Sequence, residues 1–211
     1  EVAYTPEARC PRWEAFLDEI MGGKQELVAF LQRVAGYCLT GNTDEDAFFI
    51  LHGAGMNGKT TFLETLQSMM GDFAQTAESS AFLEKRSDTI PNDLAALRGA
   101  RLAIVSETGA RRSLNESRIK RVTGGDKVTA RFLHQEFFTY RPTFKLVMAT
   151  NDRPRVYGTD LGIWRRIRMV PFAENFEGRE DAQLSHKLEA ELPGILNWAV
   201  EGCLQWQRDG L

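Results

Sequence analysis

The stretch FFILHGAGMNGKTTFLETL, Phe48 to Leu66, constrains the fold of this chain more than any other. An unbroken apolar run gives way to glycines, and apolar residues then return at helical spacing. The run Phe48–Leu51 predicts a strand buried on both faces, with His52 as a strand-end residue, and Lys59–Met70 predicts a helix. Between them, Gly53 to Thr60 reads Gly-Ala-Gly-Met-Asn-Gly-Lys-Thr and fits the spacing GxxxxGK[ST]. A strand, this loop and a helix, in that order, make a phosphate-binding loop. Its glycines let backbone N–H groups converge on an anion, and the positive end of the helix adds to the attraction. Lys59 would neutralise the β- and γ-phosphates, and the Thr60 hydroxyl can ligate Mg²⁺. The predicted nucleotide-binding residues are Gly53, Ala54, Gly55, Met56, Asn57, Gly58, Lys59, Thr60 and Thr61.

On either side of this motif the chain changes character. Trp13, Phe16, Leu17, Ile20 and Met21 recur at helical spacing, and Leu27, Phe30, Leu31, Val34, Ala35 and Cys38 repeat the pattern after Gly22-Gly23. The pair predicts two antiparallel helices, closed by the turn-rich TGNTDED of Thr40 to Asp46. Short apolar strands then alternate with helices. Strands are expected at Phe48–Leu51, Arg101–Ser106, Phe144–Thr150 and Ile167–Val170, and helices near Lys59–Met70, Asn92–Leu97 and Asn115–Val122. From Asp181 the pattern is helical again, through AQLSHKLEAEL and, past Pro193, GILNWAVEGCLQW. The expected fold class is α/β, a core with a mainly parallel central sheet flanked by helical segments at both ends. The expected divisions are 1–42, an N-terminal helical segment; 43–174, the core; and 175–211, a C-terminal helical segment.

A phosphate-binding loop is shared by NTPases and kinases, so the other polar strand ends must discriminate. The strand Arg101-Leu-Ala-Ile-Val-Ser106-Glu107 ends in Ser-Glu, where many such enzymes carry Asp-Glu. Glu107 there can polarise the attacking water or, with Thr60, help hold Mg²⁺. The strand Phe144–Thr150 delivers Asn151 at its C-terminal end, the end where ligands sit in open α/β sheets. Asn151 could orient the lytic water or hold the γ-phosphate. Trp164-Arg165-Arg166-Ile-Arg168 places three arginines just before and within a strand. An arginine offered to a neighbour's γ-phosphate is worth roughly 10³–10⁵ in rate.

Between these motifs, Glu116 to Pro142 predicts a short helix, a turn at Gly124-Gly125-Asp126 and a β-hairpin or extended loop over Val128–Tyr140. Lys120, Arg121, Lys127, Arg131, His134 and Arg141 are interleaved there with Phe132, Phe137, Phe138 and Tyr140. Cations for phosphates and rings for bases are what a single-strand site requires. Phe137 and Phe138 are expected in the hairpin core, and Arg131, Phe132 and His134 near its tip. The formal charge of −3 gives no overall footprint for nucleic acid, so such binding must come from a local patch or from assembly.

Cys10, Cys38 and Cys203 lack metal-ligand spacing, which predicts reduced thiols, no structural zinc and an intracellular setting. No apolar run reaches the roughly 18 residues of a membrane helix, so no membrane partner is expected. A first residue of Glu rather than Met makes the chain read as part of a longer protein.

Taken in order, LQRVAGYCLTG, GAGMNGKTTFLETL, LAIVSETG, IKRVTGGDKVTARFLHQEF, KLVMATNDRP and IWRRIRMVPF resemble the helicase portion of phage- and plasmid-type primase-helicases, within superfamily 3. The resemblance spans about residues 27 to 205. It implies an AAA+ P-loop ATPase core, a hexameric ring, and ATP-driven 3′-to-5′ movement on single-stranded or forked DNA during replication of a phage, plasmid or other mobile element. Carried over by residue, Gly53 to Thr61 become Walker A, Glu107 part of Walker B and Asn151 sensor 1. Lys120 through His134 become the pore-hairpin motif, with Lys120, Lys127, Arg131, Phe132 and His134 on DNA. Arg166 becomes the arginine finger, with Arg165 as alternative. ATP and Mg²⁺ are the implied cofactors, and a primase domain would lie upstream in the parent chain. Two other readings use the same loop: a non-unwinding AAA+ ATPase that loads replication proteins, and a P-loop kinase.

Overall fold

The computed structural model describes residues 2–84, 92–107 and 112–211. In chain order the helices are α1 (Pro11–Ile20), α2 (Gln25–Cys38), α3 (Lys59–Met70), α4 (Asn92–Ala95), α5 (Glu116–Thr123), α6 (Leu161–Trp164), α7 (Leu184–Ala190) and α8 (Leu192–Asp209). The strands are β1 (Phe48–His52), β2 (Ala74–Ala77), β3 (Leu102–Glu107), β4 (Val128–Ala130), β5 (Phe138–Tyr140), β6 (Lys145–Thr150) and β7 (Ile167–Pro171). The chain folds as two compact units, one of Glu1–Thr40, Gly53–Ala74 and Pro171–Leu211, the other of Gly41–His52 and Gln75–Val170.

The first unit gathers helices from both chain ends around α3. Pro11 starts α1, and the Glu191 carboxylate accepts from the free backbone N–H groups of Arg12 and Trp13 at 3.1 and 2.9 Å. The apolar stripe of α1 puts Trp13 into the core, stacked on Phe62 at 5.6 Å and edge-on to Trp198 at 5.5 Å. Helices α2 and α8 approach until their backbones touch. A Cβ on Gly36 would lie 2.0 Å from the Cys203 backbone N, and one on Gly202 would lie 2.0 Å from the Gln32 carbonyl O. Backbone cannot step aside as a side chain can, so Gly202→Ala is expected to cost about 2 kcal/mol. For a chain of this size that lowers Tm by about 4–8 °C, and a thermal melt within 1 °C of wild type, taken as about the noise of such a scan, would count against this packing.

The second unit holds the five-stranded sheet, in the order β2-β3-β6-β1-β7. Strand β6 runs parallel to both β1 and β3 and is buried along its whole length, which is why KLVMAT carries no alternation. Each expected strand forms within one residue of its predicted bounds, and β2 is an addition at the sheet edge. Registry sets His52 beside Thr150 and Thr150 beside Glu107, so three adjacent strands end abreast. The phosphate-loop motif begins at the residue after His52, and Asn151 is the residue after Thr150. The predicted hairpin forms from β4 and β5, in the register Val128↔Tyr140 to Ala130↔Phe138. Half-buried Tyr140, its phenol pushed up to about 12 by desolvation, remains a proton donor and bonds the Leu94 carbonyl at 2.5 Å.

All three cysteines are free thiols. Among the described residues no helix is long and apolar enough to cross a membrane.

Candidate functional site

The glycine-rich loop is built within the first unit, and each of its conspicuous residues has a separate cause. Gly53 is required by packing, since a Cβ there would meet the Phe172 carbonyl O at 2.0 Å. Gly58 is required by conformation, with φ 86 at the N-cap of α3, and its added Cβ would also meet Ile20. Gly55 is required by neither. Among the described residues nothing lies within 4 Å of where its Cβ would be, and the left-handed region is not used there. A glycine demanded by nothing of its own chain leaves room for close approach of something else.

Polar contacts fasten this loop to the segment that follows β7. Phe176 N donates to the Met56 carbonyl at 2.8 Å and fixes Met56 in the left-handed region at φ 57. The buried Asn57 amide donates to the carbonyls of Ala54 and, at 3.1 Å, Phe172. Asn57 thus shapes the loop instead of facing outward, and the Phe172 and Phe176 backbones are loop supports that no sequence motif signals. Ala54, Gly55, Met56 and Thr60 remain exposed.

Lys59 is 6% exposed, and its ammonium donates to the Gly53 carbonyl at 2.6 Å, the Ala54 carbonyl at 3.2 Å and Asn57 Oδ1 at 3.0 Å. Burial holds its pKa below that of a free lysine. A partly desolvated cation, exposed amides and the start of a 12-residue helix with no acid in its first turn together favour an anion. The exposed Thr60 hydroxyl can supply one oxygen to a divalent cation. No cluster of three or more His, Cys, Asp or Glu able to hold a metal exists among the described residues.

In the second unit the sheet carries Glu107 and Asn151 at the ends of neighbouring strands. The Glu107 side chain lies outside the described residues. Asn151 is exposed, while Thr150 before it is buried and donates to the Asp152 carbonyl at 2.5 Å.

The two candidate arginines of this unit differ sharply. Arg166 is buried, its side chain 9% exposed, and all three guanidinium nitrogens are engaged by its own chain: Thr123 Oγ1 at 3.1 Å, the Gly162 carbonyl at 2.7 Å and Asp46 Oδ2 at 3.0 Å. The side chain of Arg165 is 63% exposed and, among the described residues, pairs with Asp46 Oδ2 at 2.9 Å. The expectation that Arg166 reaches outward is therefore corrected in this conformation, and Arg165 presents the accessible guanidinium. The reason is local: the Arg166 carbonyl already accepts from Phe48 N at 2.8 Å at the entrance to β7, which turns the residue into the unit. Asp46, the anchor of both, was missed. Its signal was an acidic turn, DED, just before an apolar strand.

The hairpin residues divide in the same way. Lys120, expected on DNA, is paired with Asp160 at 2.5 Å, a partly exposed pair that holds Asp160 below the usual carboxylate range. Lys127 is exposed. The Arg131 guanidinium covers the Phe137 ring at 4.9 Å, with its Nε buried and unpartnered, and Phe132 stacks on Phe138 at 5.6 Å. His134 stands at φ 60 in the exposed turn. Phe137 is 55% exposed, against the expectation that it is core, because Phe138 and Tyr140 take the face of the ribbon that packs on the core and Phe137 falls on the other.

Residues 51–166, more than half of the chain, match the family of unknown function DUF5906. The chain belongs to this family. This DUF5906 chain is 32% identical over 186 residues to a protein of Acanthamoeba polyphaga mimivirus named "Putative helicase", covering 87% of the chain and 19% of that protein. It is 30% identical over 148 residues to a "Putative primase" of African swine fever virus, covering 64% of the chain and 15% of that protein. The DUF5906 chain therefore spans about a fifth or less of the length of these viral relatives. Its fold resembles the C-terminal region of NrS-1, with a TM-score of 0.72 at 11% identity over 95% of this chain and 47% of that one.

Proposed function

We propose that this chain is the ATP-dependent motor of a DNA helicase of the superfamily 3, primase-helicase type, working as a hexameric ring in the replication of a virus or other mobile element. The reading is carried by one juxtaposition: an open phosphate-binding loop, with no described residue within 4 Å of where a Gly55 Cβ would stand, shares a polypeptide with an exposed hairpin of rings and cations. The names of the viral relatives support it.

In this reading the amides of Gly53 to Thr61 and the Lys59 ammonium bind the triphosphate of ATP, and Lys59 exchanges its loop carbonyls for phosphate oxygens. Mg²⁺, when bound, would neutralise charge between the β- and γ-phosphates, held by Thr60 with Glu107 nearby in the motif order. Glu107 orients and deprotonates water, and Asn151 senses the γ-phosphate. An arginine from a neighbouring copy, Arg165 being the exposed one, stabilises charge that develops on the transferred group. Lys127, Phe132 and His134 meet the strand, and hydrolysis at a shared interface moves the hairpins along it. A primase domain elsewhere in the parent chain fits the relative named a primase.

Strand displacement tests this directly. With ATP and Mg²⁺, a forked duplex carrying a 3′ tail should be opened, one with only a 5′ tail should not, and gel filtration should show ring-sized particles. An assembled, ATP-hydrolysing protein that never displaces a strand would instead favour the loader reading, and a small monomeric phosphotransferase would favour the kinase.

A further inference from the structure

The tip of the hairpin breaks two local rules at adjacent residues. Gln135 N donates to the Phe132 carbonyl at 3.0 Å, so Leu133 and His134 are the central residues of a tight turn. His134 occupies the left-handed region at φ 60, where glycine or asparagine is the unstrained choice. Leu133 is 67% exposed at a position where turns carry polar residues or proline. Its neighbours are held down by the hairpin itself. Arg131 covers Phe137, and Phe132, 42% exposed, lies against Phe138. Leu133 is thus the projecting apolar group on a braced turn, and among the described residues no packing accounts for it. A departure from local preference without a packing cause marks a working position.

We propose that Leu133, backed by Phe132, is a wedge that enters between bases where duplex DNA opens. The proposal rests on the helicase reading above. Leucine and phenylalanine are the side chains that proteins insert between base steps, because they unstack a step without needing hydrogen bonds from it. Charge complementarity selects this occupant: the Arg131 guanidinium, held over the Phe137 ring beside the apolar tip, suits the surface to a polyanion that exposes base faces. A turn stiffened by ring stacking loses little freedom on insertion. Strand separation then resides at Leu133, while phosphate grip and ATP turnover reside elsewhere.

The test uses a forked duplex with 2-aminopurine at the first paired position, whose fluorescence rises when the base unstacks. Wild-type protein should raise it on binding. Leu133→Ala should lose most of that rise and unwind about tenfold more slowly, the lower range for loss of one base contact. Its affinity for single strands and its strand-stimulated ATP hydrolysis should stay within about twofold of wild type, the scatter expected of such measurements, and Leu133→Phe should retain junction fluorescence and unwinding. Unchanged fluorescence and unwinding in Leu133→Ala would overturn the wedge and leave the helicase reading standing. So would a loss that tracks a change of particle size in sedimentation, which would make Leu133 a contact between copies. A wild-type protein that hydrolyses ATP but neither binds nor opens DNA would overturn the helicase reading, and the wedge with it.

Discussion

Lys59→Ala is expected to abolish ATP hydrolysis, a loss of about 10³-fold or more, the upper range for removing one preorganised group that stabilises transition-state charge. In the folded chain the Lys59 ammonium is already buried among loop acceptors, so little reorganisation stands between it and an incoming phosphate. Its removal would also leave Asn57 Oδ1 and two loop carbonyls short of a donor. Melting temperature must therefore be measured beside turnover, and Lys59→Arg serves as the control that keeps a cation in the loop. Normal turnover in a folded Lys59→Ala protein would remove the nucleotide site from this loop.

Arg165→Ala is expected to keep nucleotide binding and thermal stability while losing turnover by about 10³-fold or more, the lower range for an arginine finger. Arg165 is an exposed side chain whose pairing with Asp46 is worth little to stability. Mixing it with Lys59→Ala subunits should restore part of the activity, because one interface then combines an intact loop with an intact Arg165. Arg166→Ala should behave differently. It breaks a buried set of bonds to Thr123, Gly162 and Asp46, so its first effect is a lower Tm. Complementation by Arg166→Ala and not by Arg165→Ala would reverse the assignment, and no recovery at any ratio would argue against a finger supplied by another copy.

Much of this was legible in the residues. Helix α3 has its predicted bounds because the loop motif gives its start and Gly71 its end, strands β1, β3 and β6 announce themselves as apolar runs long enough to be buried on both faces, and β7 reads as a shorter apolar stretch that takes the sheet edge. Strand β2, AQTA, was not legible, since it carries no apolar run and exists through pairing at the sheet edge. The helical ends read as separate segments, yet they belong to one compact unit, because Gly36 and Gly202 let α2 and α8 touch across most of the chain length.

The site follows the same division. Spacing alone marked out the loop proposed to bind phosphate, because that chemistry depends on neighbours in sequence: glycines, one lysine, one hydroxyl and the helix that follows. Which groups face outward was decided by tertiary structure. Asn57 turns in to brace the loop, Arg166 is claimed by Asp46 and Thr123 while Arg165 stays exposed, and Leu133 projects from an exposed turn while Phe132 beside it lies on Phe138. Each of those outcomes depends on a partner distant in the chain or across a turn, and the physics of burial and hydrogen bonding acts on that partner only once the fold has brought it near.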